Sequence, residues 1–223
     1  MFRLERVVKM PFYPVNLHLD GQTCVVVGGG AVAERKVMPL LAANAKVAVI
    51  SPQLTPRLAE LAKVRRIVHI ARYYRQGDLQ DAFLVICATD HQEVNRQAAQ
   101  AAKQQGALIN VADAPELGNF SVPAQVTSGD LLITVSTGGK NPVMARRLRE
   151  ELAATYGPEY GEYIALLGRI RVELKERLAS TKEREAFWRE SIDQDILELL
   201  RQRKIKEAEA KVRNAISSIG LKS

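Results

Sequence analysis

Residues Cys24–Lys36 read CVVVGGGAVAERK. An apolar, β-branched run passes directly into three glycines and then into a helix-forming segment, the order of a nucleotide-binding strand, turn and helix. Gly28, Gly30 and Ala33 occupy the G-x-G-x-x-G/A positions. There the first glycine makes the tight turn, the second lets a pyrophosphate approach the backbone, and a small third residue allows the helix to pack close to the sheet. Free amides and the partial positive charge at the helix start supply an anion site. A dinucleotide is the first ligand to consider, with glycines serving only a sharp turn as the simpler reading.

Working outward, the acidic ribose ligand expected about 20 positions further on is missing. After a second apolar run, Lys46–Ile50, the chain continues Ser51-Pro52-Gln53. Hydroxyl and amide groups must therefore serve the ribose, and these residues leave NAD and NADP undistinguished.

Short apolar runs alternate with amphipathic segments through the first half: Cys24–Val27, Lys46–Ile50, Arg66–Ala71, Phe83–Ala88 and Ala107–Val111. Helical composition fills Val32–Ala43, Pro56–Lys63 and Gln92–Gln104, with Val94 placed to face the sheet. This alternation predicts a Rossmann-type, doubly wound parallel sheet of the α/β class. From Gly118 the character changes. Phe120, Val122, Val126 and Leu131–Val135 form strand-like runs broken by Ser128-Gly129-Asp130, a hairpin signal. Asn141 is placed to cap, and Pro142 to begin, a helix running to about Ala154.

Beyond Gly157-Pro158, the residues Tyr163, Leu166, Leu167, Ile170, Leu174 and Leu178 recur at helical spacing. Phe187, Trp188, Ile192, Ile196, Leu199 and Leu200 predict a second helix, and Lys204–Ile216 a third. The expected division is a nucleotide-binding domain over 1–118, a small α+β dimerisation segment over 119–155, and a helical domain over 156–223.

With 223 residues, 47% of them hydrophobic, the chain can bury a substantial core. No apolar run approaches the roughly 18 to 20 residues of a spanning helix, and the first residues lack a signal-peptide pattern. The expectation is a soluble, cytoplasmic protein with no membrane partner. Cys24 and Cys87 fall in predicted strands, where a small apolar side chain suits the core better than a disulfide or metal site. His18, His69 and His91 are scattered without ligand spacing, so no metal site is expected. The net charge of +7 favours anionic partners. Without basic stretches interleaved with stacking aromatics, that points to a small acidic substrate rather than nucleic acid.

Open α/β sheets bind ligands beyond the carboxyl ends of their strands, which singles out Thr89 and Asp90, then Asn110, Val111 and Asp113. Asp90 suits helix capping as well as ligand contact, and Asp113 suits a turn before Pro115 as well as catalysis. Lys140, Arg146 and Arg147 suit either a solvated helix face or carboxylate recognition.

The segments VVVGGGAVAERK, ICATDHQEVN, NVADAP, FSVPA and VSTGGKNPVMARRLREEL follow one another in the order seen in the dehydrogenase/chelatase module of sirohaem synthase. The chain resembles the precorrin-2 dehydrogenase family from about Pro14 through the C-terminal helices, FWRE at Phe187 included. Residues before Met10 look like an extra lead-in. The resemblance implies NAD-dependent oxidation of precorrin-2, an octacarboxylate tetrapyrrole, to sirohydrochlorin in a homodimer whose middle segment exchanges contacts between subunits. It places the catalytic aspartate at Asp113. It adds Ala31 and Val32 to Gly28 and Gly30 at the cofactor turn, Pro52 and Gln53 to Ser51 after the second strand, and Asn110 as a lining of the same cleft. Thr137 and Lys140 fall where substrate carboxylates are held, with Thr137 standing where the family often has serine. Some family members also insert ferrous iron into the product, and the resemblance leaves that open here. A chain of this length leaves no room for the methyltransferase module of the trifunctional enzymes.

Two other readings carry different expectations. A non-catalytic NAD-sensing module would bind NAD without turnover. A chelatase alone would insert iron without needing NAD.

Overall fold

The computed structural model describes residues 12–178, 180–191 and 194–219. The chain divides into two compact units, residues 12–122 and, among the described residues, those from 123 onward.

In the first unit β1 (Thr23–Val27), β2 (Lys46–Ile50), β3 (Val68–Ile70), β4 (Leu84–Cys87) and β5 (Leu108–Val111) form one parallel sheet in the order β3-β2-β1-β4-β5. Three helices cover it: α1 (Ala31–Ala42), α2 (Pro56–Lys63) and α3 (Gln92–Gln104). Side chains alternate across the sheet with period two. Cys24, Val26, Val47, Val49, Leu84 and Ile86 share one core with Ala33, Val37 and Leu40 of α1 and Leu58 of α2. Val25, Val27, Val85, Cys87, Ile109 and Val111 face the other way, against Ala98, Ala99 and Ala102 of α3. The alanines of α3 let its axis come close to the sheet, and Val94 packs at the margin of that core.

The order of connection reverses at β1. From there α1 leads toward β2, whereas β4 and β5 lie on the opposite side. Such a reversal opens a crevice at the carboxyl edge of the sheet. Ala71–Phe83, which joins β3 to β4, contains no helix. Leu79 and Ala82 anchor it in the core on the α3 side, and Arg72 clasps Asp78 through two 2.7 Å hydrogen bonds.

In the second unit β6 (Ala124–Ser128) pairs antiparallel with β7 (Leu131–Val135), and α4 (Pro142–Thr155) follows. The Asn141 side chain accepts from the Met144 amide at 2.9 Å, the cap that its position implied. Phe120 and Val122 lie outside the hairpin: Phe120 packs against the core of the first unit, on the α1 face. In α5 (Pro158–Arg177) Tyr163, Leu166, Ile170 and Leu174 are buried, with Leu167 and Leu178 at the margin of the same core. Where a single helix was expected around Phe187–Leu200 there are two, α6 (Thr181–Ser191) and α7 (Gln194–Arg201); Ile192 lies outside the described residues. The expected third is α8 (Ile205–Ile219), whose Ala208, Val212 and Ile216 complete this core. Among the described residues no helix is long and apolar enough to cross a membrane.

Candidate functional site

The glycine turn sits at the centre of the sheet's carboxyl edge, wedged between the segments that follow β2 and β4. The Gly28 amide donates to the Ile50 carbonyl at 2.9 Å, and the Thr55 amide donates to the Gly29 carbonyl at 2.9 Å. Gly28 holds a φ of +121°, and a Cβ there would collide with the Ala88 carbonyl. A Cβ on Gly29 would collide with the Gln53 carbonyl and the Ser51 side chain. Gly30 differs, since its backbone is extended and a Cβ would meet nothing within 4 Å.

Two glycines therefore serve packing, and the third borders open space at the start of α1. Gly30 caps that helix without a side-chain hydrogen bond. The first amides of a helix have no intrahelical acceptor, so those from Ala31 onward are donors for an anion. Ala31 and Val32 are exposed, whereas Ala33 is fully buried. Glu34, the acid of the first turn, is drawn aside to accept from the Thr55 hydroxyl at 2.6 Å.

Beside the turn, Ser51 is half-buried and Pro52 and Gln53 are exposed. The Ser51 carbonyl bonds His69 Nε2 at 2.9 Å. Beyond β4, the Thr89 hydroxyl donates to Asn95 Oδ1 at 2.8 Å and accepts from the His91 amide at 3.2 Å. The Thr89 side chain is thus engaged within the protein. Asp90 does not cap α3: the cap residue is His91, with no side-chain cap bond, and the Asp90 carboxylate is exposed, 3.6 Å from His91 Nε2.

Past β5, the Val111 side chain is buried in the core and leaves only its backbone at the edge. Asn110 faces the other side of the sheet, where its Nδ2 donates to the Phe120 carbonyl at 3.2 Å while Oδ1 is buried without a hydrogen-bond partner. A buried acceptor with no protein partner is costly unless a water or a ligand donates to it. Asp113 is exposed, and its Oδ1 accepts from Asn95 Nδ2 at 3.2 Å. Asp113 borders a recess of about 200 Å³, shared with Gln92, Asn95, Arg96, Glu116 and Leu117. Burial, and secondarily the charge of Asp113, pushes the Cys87 thiol up to about 12.

The cofactor turn, Ser51–Gln53, Thr89, Asp90, Asn110, Val111 and Asp113 thus all belong to one sheet edge. Thr137 and Lys140 belong to the second unit. There the Thr137 hydroxyl accepts from the Asn141 amide at 3.2 Å, and Lys140 is exposed. The open approach at Gly30 and the unpartnered Asn110 oxygen both fit a dinucleotide carrying a pyrophosphate and a carboxamide. Sequence reasoning missed Gly29 and Asn95. The run of three glycines pointed to the first, and an asparagine one turn before the buried alanines of α3 to the second.

Three family models divide the chain among them. Residues 15–124 match a family described as "Putative NAD(P)-binding", residues 129–155 the sirohaem biosynthesis protein central family, and residues 159–216 the sirohaem synthase dimerisation region. The chain belongs to the sirohaem synthase and precorrin-2 dehydrogenase family. Among relatives of this family, the sirohaem synthase of Thioalkalivibrio sulfidiphilus is 38% identical over 85% of this chain and 39% of its own length. Sirohaem synthase 1 of Aeromonas salmonicida is 40% identical over 84% of this chain and 40% of its own. The chain thus spans about two fifths of the length of these relatives. The solved structure of SirC, precorrin-2 dehydrogenase, superposes with a TM-score of 0.74 at 28% identity, covering 90% of this chain and all of that one.

Proposed function

We propose that the chain oxidises precorrin-2 to sirohydrochlorin with NAD, within sirohaem biosynthesis. The observation that carries this reading is the placement of Asp113 on the same sheet edge as the Gly28–Gly30 turn, beyond the carboxyl end of β5. The family likeness supplies the substrate and favours NAD over NADP.

NAD supplies the hydride acceptor. The chain binds it with the free amides at the start of α1, with Gly30 permitting close approach of the pyrophosphate. Ser51, Pro52 and Gln53 border the ribose, and Thr89, Asp90 and Val111 border the rest of the dinucleotide. Asn110 offers its Oδ1 to a carboxamide or to the macrocycle. Asp113 takes the proton that leaves precorrin-2 as the hydride departs, so one hydride and one proton account for the two hydrogens lost. Lys140 holds a carboxylate of the substrate by charge, and Thr137 does so by turning its hydroxyl away from the Asn141 carbonyl, to which it donates at 3.0 Å.

The assembly we propose is a cytoplasmic homodimer. Its functional parts are the cofactor domain, 1–118, the segment 119–155 and the helices from 156, and the match of 159–216 to a dimerisation region supports a contact that includes the helices. The family likeness leaves insertion of ferrous iron into sirohydrochlorin open as a second activity.

Purified chain with NAD should convert precorrin-2, followed by the absorbance change of the macrocycle, and Asp113→Ala should abolish that conversion without unfolding. Turnover surviving in the variant would remove Asp113 from the role. Sirohaem formation no faster than in an enzyme-free control would remove iron insertion.

A further inference from the structure

Among the described residues the buried polar side chains are Asn95 and Asn110. Asn95 is 1% exposed, in the first turns of α3, on the stripe that continues through Ala98 and Ala102 against the sheet. Its amide is satisfied on both sides. Nδ2 donates to the Thr89 carbonyl at 2.9 Å and to Asp113 Oδ1 at 3.2 Å, and Oδ1 accepts from the Thr89 hydroxyl at 2.8 Å.

That arrangement fixes which end of the amide faces Asp113. The Thr89 carbonyl can only accept, and so can an ionised Asp113. Turning the amide over would set its oxygen against both and leave the Thr89 hydroxyl facing an NH2. Two donor hydrogens are thereby committed, one to each acceptor. Asp113 itself is exposed, and among the described residues no hydrogen bond reaches its Oδ2.

We propose that Asn95 is a positioning residue: it pins Oδ1 of Asp113, so that Oδ2 is the oxygen turned to the substrate and the one that receives its proton. The inference rests on the proposed dehydrogenase reading and adds a residue and an atom to it. Asn95 touches neither the cofactor nor the substrate. It acts through the carboxylate, and Thr89 acts through Asn95.

The test uses the full chain, with calorimetric titration of NAD and steady-state oxidation of precorrin-2. In Asn95→Leu, kcat should fall by about tenfold or more while the NAD Kd and the precorrin-2 KM stay within about twofold, the pattern of an interaction needed for the chemical step rather than for binding. Thr89→Val keeps the backbone that meets the cofactor but frees the amide, and should lower kcat severalfold with the same split. The double variant should be no slower than Asn95→Leu alone, because both changes act on one hydrogen-bonded unit. An unchanged kcat in a folded variant overturns the inference, as does a Kd or KM that deteriorates together with kcat, or a double variant whose loss is the product of the two single losses. If Asn95→Leu does not fold, Thr89→Val alone decides between the same outcomes. A wild-type chain that does not oxidise precorrin-2 overturns the proposed function and this inference with it. Turnover by the wild type with kcat retained in the variants overturns the positioning role alone.

Discussion

The carbonyl oxygen of Gln53 occupies the place where a side chain on Gly29 would have to begin. The β1–α1 turn and the segment after β2 are packed backbone to backbone there, and the Thr55 amide bonds the Gly29 carbonyl across the same contact. One residue later the surroundings are open. Gly29→Ala should therefore lower stability by about 1 to 3 kcal/mol, the usual penalty for overpacking, read as a fall in thermal midpoint. Gly30→Ala should leave the midpoint unchanged and weaken NAD binding by about tenfold or more, because its methyl would enter the open space where we propose the pyrophosphate sits. Equal thermal losses in the two variants would contradict this division of labour.

Asn110 supplies a second contrast between fold and ligand. Its Oδ1 is buried without a partner while its Nδ2 is held by the Phe120 carbonyl. A ligand donor that reaches Oδ1 relieves a desolvation penalty of about 1 to 3 kcal/mol. Asn110→Ala should accordingly weaken binding of NAD or of precorrin-2 by about tenfold, in titrations run separately for each. The ligand that loses affinity is the one that meets Asn110. If both affinities are unchanged, the oxygen faces no ligand.

The parallel sheet was legible because its signal is local: five apolar runs, three of them followed directly by Gly28, Ser51 or Thr89, with α2 and α3 found at the boundaries expected from composition. Asp113 could be picked out because it follows a strand in a fold whose ligands gather at strand ends. Asn95 was not visible in the same way. Its importance comes from a contact 18 positions away, and a helical asparagine carries no mark of the partner it meets. Asp90 misled for the opposite reason. Its composition suits a cap, but the cap position falls one residue later, at His91, which makes no side-chain cap bond.

The two free cysteines are both buried in strands. Burial raises the Cys24 thiol to about 11 and, with the added charge of Asp113, the Cys87 thiol to about 12. Since the thiolate is the reacting species, about one part in a thousand of Cys24, and less of Cys87, is reactive at pH 8 even before access is considered. A disulfide reagent should titrate neither thiol in the native chain at pH 8 and both in denaturant. Rapid modification of either cysteine in the native state would show that the sheet opens far more often than its packing implies.

The Arg72–Asp78 clasp makes the helix-free crossover between β3 and β4 sensitive to acid. The hydrogen bond from Arg72 holds the Asp78 carboxyl below its ordinary value of 3.8, aided by the Arg75 amide, which donates to it at 2.7 Å. A carboxyl whose value is depressed on folding adds stability that is fully present above its unfolded value and is lost as the pH falls through the folded one. Asp78→Asn removes that dependence. Wild type should therefore melt above the variant by a constant margin at pH 6 to 8, and the margin should shrink as the pH is lowered past about 3.8. Arg72 is one-third exposed, so salt should narrow the margin at neutral pH as well. Melting curves across pH at two salt concentrations measure both effects. A margin of the same size at pH 3 as at pH 7 would mean that Asp78 acts through the shape of its turn rather than through its charge.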